Sequence, residues 1–231
     1  MEGVAGGRSS RLRLLVAILD RGRDAPQTRP MSLILADPTT FHETRRRLLD
    51  AGLALLLERG YSGLGVQDVL DRTGIPKGSF YHHFESKQDM ALQAVDLYTV
   101  IGHQLLDRCL ADDGRPALRR VRYFFEELGR FYGEQGYLGC LLGALGQELS
   151  GTNELFRRRI EECVGSIAAR IAECLEQAHA GGELPSDADP RQLANILVNA
   201  WEGAALRSRL LRSPEPLTQV LDFCLGPVAT E

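Results

Sequence analysis

Apolar residues recur at helical spacing almost from end to end of this chain, and no strand-like alternation or internal repeat interrupts them. A first helix is expected after Thr40, whose hydroxyl can cap it while Glu43, three residues on, completes a capping box. Leu48, Leu49, Gly52, Leu55 and Leu56 form its buried stripe, and Gly60 ends it. A short second helix follows from Val66 to Arg72, with Val66, Val69 and Leu70 on one face and Thr73-Gly74 as the break. Pro76 can open a third, because its missing N–H costs nothing in a first turn, and Phe80 and Phe84, four apart, point back into a core.

Ser86, with Asp89 three residues on, starts a fourth helix that runs to about Ala111, where Asp112-Asp113-Gly114 breaks it. Arg115 to Gln135 is rich in aromatics, and Gly136 to Gly146 sets four glycines around an apolar run, a sign of close packing or a bend. Asn153 to Ala180 is a long amphipathic helix stopped by Gly181-Gly182. Another runs from Asp189-Pro190 to about Arg212, and Leu217 to Leu225 follows the breaks at Pro214 and Pro216. The expected fold class is all-α: a three-helix domain over residues 37–86, then a helical bundle over 87–231.

Two short helices joined by a tight glycine turn, the second with donors on its outer face, make a helix-turn-helix that lays its second helix in the major groove of DNA. That outer face holds Lys77, Gly78, Ser79, Tyr81 and His82, a polar and aromatic surface with no large apolar patch. Such groups favour DNA over a purely protein-binding helical module, the alternative for a chain of this kind. The ordered set Thr44-Arg45-Arg46-Arg47-Leu48-Leu49-Asp50-Ala51, then Glu58-Arg59-Gly60-Tyr61, then GIPKGSFYHHFESK from Gly74 to Lys87 resembles the N-terminal domain of the TetR family of transcriptional repressors. The resemblance covers about 50 residues with every landmark in order. It implies a homodimer on a double-stranded, palindromic DNA operator, released when a small molecule reaches the C-terminal domain. Lys77 and Lys87 are assigned to phosphates, Ser79, Tyr81 and His82 to the bases, and Gly78 to close backbone approach. Thr44 or Arg45 can reach a phosphate at the outer end of the first helix, though three successive arginines also suit a solvated face.

The formal charge of −4 looks wrong for a DNA-binding protein until it is divided along the chain. Residues 1–36 carry 6 basic and 3 acidic groups, 37–87 carry 7 of each, and 88–231 carry 14 and 21. A neutral DNA-binding domain makes few phosphate contacts, so useful affinity requires two subunits. Residues 1–36 fit the family poorly. They read as a disordered basic arm, as an arm on DNA, or as a start placed too early with Met31 the true first residue. Asp20-Arg21 stands where a secretory cleavage site would need small residues, and no stretch approaches the ~18 apolar residues that span a bilayer. A cytoplasmic protein away from the membrane is the expectation.

Enzyme chemistry finds little support. There is no glycine-rich phosphate loop and no G-x-S-x-G, and His82-His83 are adjacent and so diverge on a helix; neither a metal nor a cofactor is expected. The five cysteines are odd in number with no C-x-x-C pair, which points to reduced thiols. One of them is singled out by resemblance. Tyr137-Leu138-Gly139-Cys140-Leu141-Leu142-Gly143 resembles a segment of a TetR branch that responds to small electrophiles, implying that Cys140 is a sensor. A thiol at a helix start can have its thiolate stabilised by free N–H groups. Equally, a cysteine in an apolar run behaves as a small buried hydrophobe. A non-covalent ligand bounded by Tyr123, Phe124 and Trp201 is the other trigger, against the plain reading of these aromatics as core. Trp201 beside Gly203-Ala204-Ala205 also fits a two-fold helical interface, or simply the protein's own bundle.

Overall fold

The computed structural model describes residues 43–226. Thr40, the arm over 1–36 and the last five residues lie outside the described residues, and so do the expectations that rest on them. Among the described residues there are nine helices and no strand: α1 (Glu43–Arg59), α2 (Val66–Thr73), α3 (Lys77–His83), α4 (Lys87–Leu110), α5 (Ala117–Glu134), α6 (Leu141–Leu149), α7 (Glu154–Ala180), α8 (Pro190–Leu211) and α9 (Glu215–Leu225). The chain divides into two compact units, one ending at Tyr98 and one beginning at Thr99, so the division falls inside α4 rather than at its start.

The first unit is a small core closed by α1, α2 and α3. Leu48, Leu53, Leu55 and Leu56 of α1, Val69 of α2 and Phe80 and Phe84 around α3 are almost wholly shielded from solvent. Met90, Ala91 and Ala94 of α4 complete it. Gly74 makes the turn possible: its φ of +67° is left-handed, and its N–H returns to the Leu70 carbonyl at 2.7 Å. Ser86 and Asp89 form the expected start of α4, Asp89 N–H donating to Ser86 Oγ at 3.0 Å and Glu85 N–H to Asp89 Oδ2 at 3.0 Å.

In the second unit α7, α8 and α9 pack successively, and α5 joins α7 and α9 through its aromatic stripe. Asn153 caps α7 through Leu155 and Phe156 N–H, and Asp189 caps α8 through Arg191 and Gln192 N–H. The glycine-rich stretch splits in two. Gly136, Tyr137 and Gly139 all have positive φ and form a turn, after which α6 begins at Leu141.

Candidate nucleic-acid interface and thiol site

The fold presents α3 by burying one side of it. Phe80 is 0% exposed and Phe84 nearly so, their rings 5.3 Å apart, while Tyr81, the next residue, is 52% exposed. Lys77, Gly78 and His82 are exposed with it, and Ser79 is half-buried where Ser79 N–H turns back to the Pro76 carbonyl at 3.0 Å. A Cβ added at Gly78 would meet nothing within 4 Å. The fold itself therefore gains nothing from the missing side chain, and a glycine within a helix costs roughly 1 kcal/mol relative to alanine. An external surface that must come close to the backbone gives the glycine a use.

Two other expected phosphate contacts are revised. Lys87 Nζ donates to the carbonyls of Tyr61 at 3.2 Å and Leu64 at 3.0 Å, and sits 4.1 Å from the centre of the Tyr61 ring. Its ammonium is committed to tying α4 to the loop after α1, so it acts as a clamp within the unit. Arg45 is half-buried, hydrogen-bonds Gln93 and lies over the Phe84 ring at 5.4 Å, so it braces α1 against α4 rather than reaching outward. Arg47 donates to the Thr73 carbonyl at 2.7 Å and supports the turn between α2 and α3. Thr44 stays half-buried at the start of α1.

Around Cys140 the geometry differs from expectation in one decisive respect. Cys140, half-buried, is the residue before the first turn of α6; its side chain caps no backbone N–H there, although the nearby Gly143 and Leu142 N–H groups pull its thiol down, as a helix start should allow. Burial, however, pushes its thiol well above the usual range, and the charge of Glu202, together with a hydrogen bond between the two side chains, pushes it further. The net effect opposes the thiolate. Glu202 comes from α8, and its carboxyl fills the room left by Gly143: a Cβ there would collide with Glu202 Oε2 and stand 3.2 Å from the carboxyl carbon. Burial raises Glu202 as well, offset by the hydrogen bond from Cys140. Nothing in the sequence pointed to Glu202, because the pairing of α6 with α8 is set by the tertiary fold.

The predicted aromatic residues are core. Phe124 is buried, and Trp201, 2% exposed, stacks within its own unit, 4.9 Å from the Phe125 ring centre and 6.1 Å from that of Tyr132. Trp201 therefore cannot anchor a second subunit, and neither can the buried Ala204 and Ala205 beside it; of that run only Gly203 is exposed. Tyr123 is half-buried under the Arg115 guanidinium, 4.4 Å from its ring centre. Cys109 and Cys174 are buried thiols, Cys109 pushed up to about 11 mainly by burial.

Residues 48–94 match the family described as bacterial regulatory proteins, tetR family, and residues 117–224 match the tetracyclin repressor-like C-terminal domain. The chain is 38% identical over 182 residues to the transcriptional regulator AcuR of Cereibacter sphaeroides, covering 78% of this chain and 82% of that one. The chain belongs to the TetR family. It is 33% identical to the transcriptional repressor DhaR of a Mycobacterium species, over 77% of this chain and 88% of the relative. It is 31% identical to the transcriptional repressor NemR of Escherichia coli, over 83% and 96%. Among solved structures, a TetR regulatory protein from Rhodobacter sphaeroides superposes with a TM-score of 0.75 at 36% identity, covering 79% of this chain and 97% of that one. The reduced form of Escherichia coli NemR superposes at 0.72 and 28% identity, over 82% and 99%. The all-α helix-turn-helix fold and the role of a DNA-binding transcriptional regulator are thereby established, and the relatives are regulators, not enzymes. No helix among the described residues is long and apolar enough to cross a membrane.

Proposed function

We propose that this TetR-family member is a cytoplasmic repressor that binds an inverted-repeat operator as a homodimer and leaves it when a small electrophile modifies Cys140. The observation that carries the DNA half is the two-sided α3, with Phe80 sunk in the core and Lys77, Gly78, Tyr81 and His82 facing out around an open backbone. Lys77 contacts phosphate, and Ser79, Tyr81 and His82 lie nearest the bases. Two such helices related by a two-fold axis require half-sites about one helical turn, or a multiple, apart.

Support for the dimer comes from exposed apolar side chains on α8 and α9. Ile196, Leu206 and Leu210, the last 66% exposed, flank Gly203 on α8, and Phe223 of α9 is 91% exposed. A patch of this kind suits a second copy of the same chain. The sensor assignment rests on Cys140 at the start of α6, where the helix end favours a thiolate, and on the relatives, one of which is known in a form described as reduced. A second reading, non-covalent release by a ligand in the same unit, is favoured by the burial that holds Cys140 as a thiol.

The deciding measurement is operator release, followed by fluorescence anisotropy, on adding a small electrophile to the wild type and to Cys140→Ser. Release confined to the wild type supports the covalent reading. Equal release from both removes Cys140 as the sensor, and failure of either protein to bind any inverted repeat removes the repressor.

A further inference from the structure

The carboxyl of Glu202, from α8, lies in the gap left by Gly143, beside Cys140 at the start of α6. We propose that Glu202 is the residue that sets the reactivity of Cys140: its carboxylate, lodged in the Gly143 gap at the start of α6, stands beside this cysteine and opposes the charge of any thiolate formed there. The proposal rests on the reading of Cys140 as the site of modification, and names the residue that governs that reaction.

The geometry makes Glu202 a restraint rather than a base that activates the sulfur. The thiolate is the nucleophile, and two N–H groups at the start of α6, those of Leu142 and Gly143, already favour it. A carboxylate in the Gly143 gap places a like charge near any thiolate that forms, so its effect opposes theirs. Alkylation forms the S–C bond, breaks the S–H bond and expels the leaving group of the reagent. The departing proton passes to solvent. Until that proton moves, sulfur stays in its unreactive form, and the site discriminates against reagents that meet it only in passing. Arg209 also stands near this turn, its guanidinium held by the Leu138 carbonyl at 3.2 Å, and the Tyr137 ring lies against Gly133.

Glu202 is a positioning residue, and two variants separate its charge from its bulk. Glu202→Gln keeps the shape and removes the charge. Gly143→Ala keeps the charge but puts a methyl where Oε2 stands, and the flexible end of Glu202 can swing aside to accommodate it. The rate of Cys140 modification by iodoacetamide is measured by mass spectrometry on the intact full-length protein from pH 6 to 10. Glu202→Gln is expected to move the thiol inflection down by at least about one unit and to raise the rate at neutral pH about tenfold. Gly143→Ala is expected to shift it in the same direction. A higher rate at every pH with an unmoved inflection would mean that Glu202 only blocks access, and a slower Glu202→Gln would mean that it acts as a base; either result overturns the proposal. Operator release by the same reagent is scored separately, so a shifted inflection without release would sink the sensor while leaving the pair intact.

Discussion

Lys77 and Lys87 stand ten residues apart in one motif, carry the same charge, and should fail in opposite ways when replaced. Lys87 gives two hydrogen bonds from an ammonium to carbonyls, at 3.2 and 3.0 Å, and lies 4.1 Å over the Tyr61 ring. A hydrogen bond to a charged group contributes about 1.5 to 3 kcal/mol, and an exposed cation–π contact about 0.5 to 1. Half-burial of Lys87 weakens both, so Lys87→Ala should cost about 2 kcal/mol of stability in the first unit while leaving the number of phosphate contacts unchanged. Lys77 is exposed and has no ion pair among the described residues. Its loss should leave stability within about 0.5 kcal/mol and reduce the salt dependence of operator binding by about 0.9 in log–log slope per subunit. Between 50 and 200 mM salt that slope change alters the ratio of wild-type to mutant affinity about threefold per subunit. Urea unfolding and anisotropy titrations at four salt concentrations on both variants provide the comparison. If Lys87→Ala flattened the slope as much as Lys77→Ala and left the urea midpoint in place, the clamp would have to open on DNA, and the reassignment of Lys87 would be wrong.

Phe80→Ala, which empties a fully shielded site under α3, should cost about 3 to 5 kcal/mol in urea unfolding and abolish operator binding at room temperature. Gly74→Ala should cost about 1 to 2 kcal/mol through its left-handed φ alone, since the added methyl would meet nothing within 4 Å. His103, hydrogen-bonded to Ser166 at 2.9 Å, has its pKa lowered by burial and then by Arg170, partly offset by Asp107. The unfolded chain therefore binds more protons near pH 6, so stability should be full above about pH 6.5 and fall as pH drops below it. Denaturant midpoints measured across that range should be flatter in His103→Gln. Replacing Leu210 and Phe223 together by Glu should yield a monomer in sedimentation with an unchanged helical circular dichroism spectrum.

The first unit was legible because its signals are local. A glycine in the turn, two phenylalanines four apart and a serine–aspartate start each fix their own few residues, and each stands as the spacing required. What the spacing could not reveal was which basic side chains face outward. Arg45 and Lys87 look like phosphate ligands in one dimension, yet partners 48 and 23 to 26 residues away in the chain, Gln93 for one and the Leu64 and Tyr61 carbonyls for the other, engage both of them inside the unit. Charge alone does not distinguish a surface lysine from a clamp; the position of the acceptors does.

In the second unit the helix ends were equally readable, from Asn153 and Asp189 as caps to the break before Cys140, while the roles of single residues were not. Trp201 illustrates why. A large ring beside small residues satisfies the pattern of an interface anchor and that of a core filler alike, and the choice was made by Phe125 and Tyr132, which arrive from a different helix. Cys140 is the same problem in electrostatic form. Its place at the start of α6 favours the thiolate through two N–H groups, and a one-dimensional reading stops there. Glu202, sixty-two residues downstream, comes into contact only when α8 folds against this turn, and together with burial it reverses the sign of the local effect. The reactivity of a cysteine depends on the sum of the fields at its sulfur, so a helix start identifies where a sensor thiol can sit, and the residue facing it determines how readily that thiol reacts.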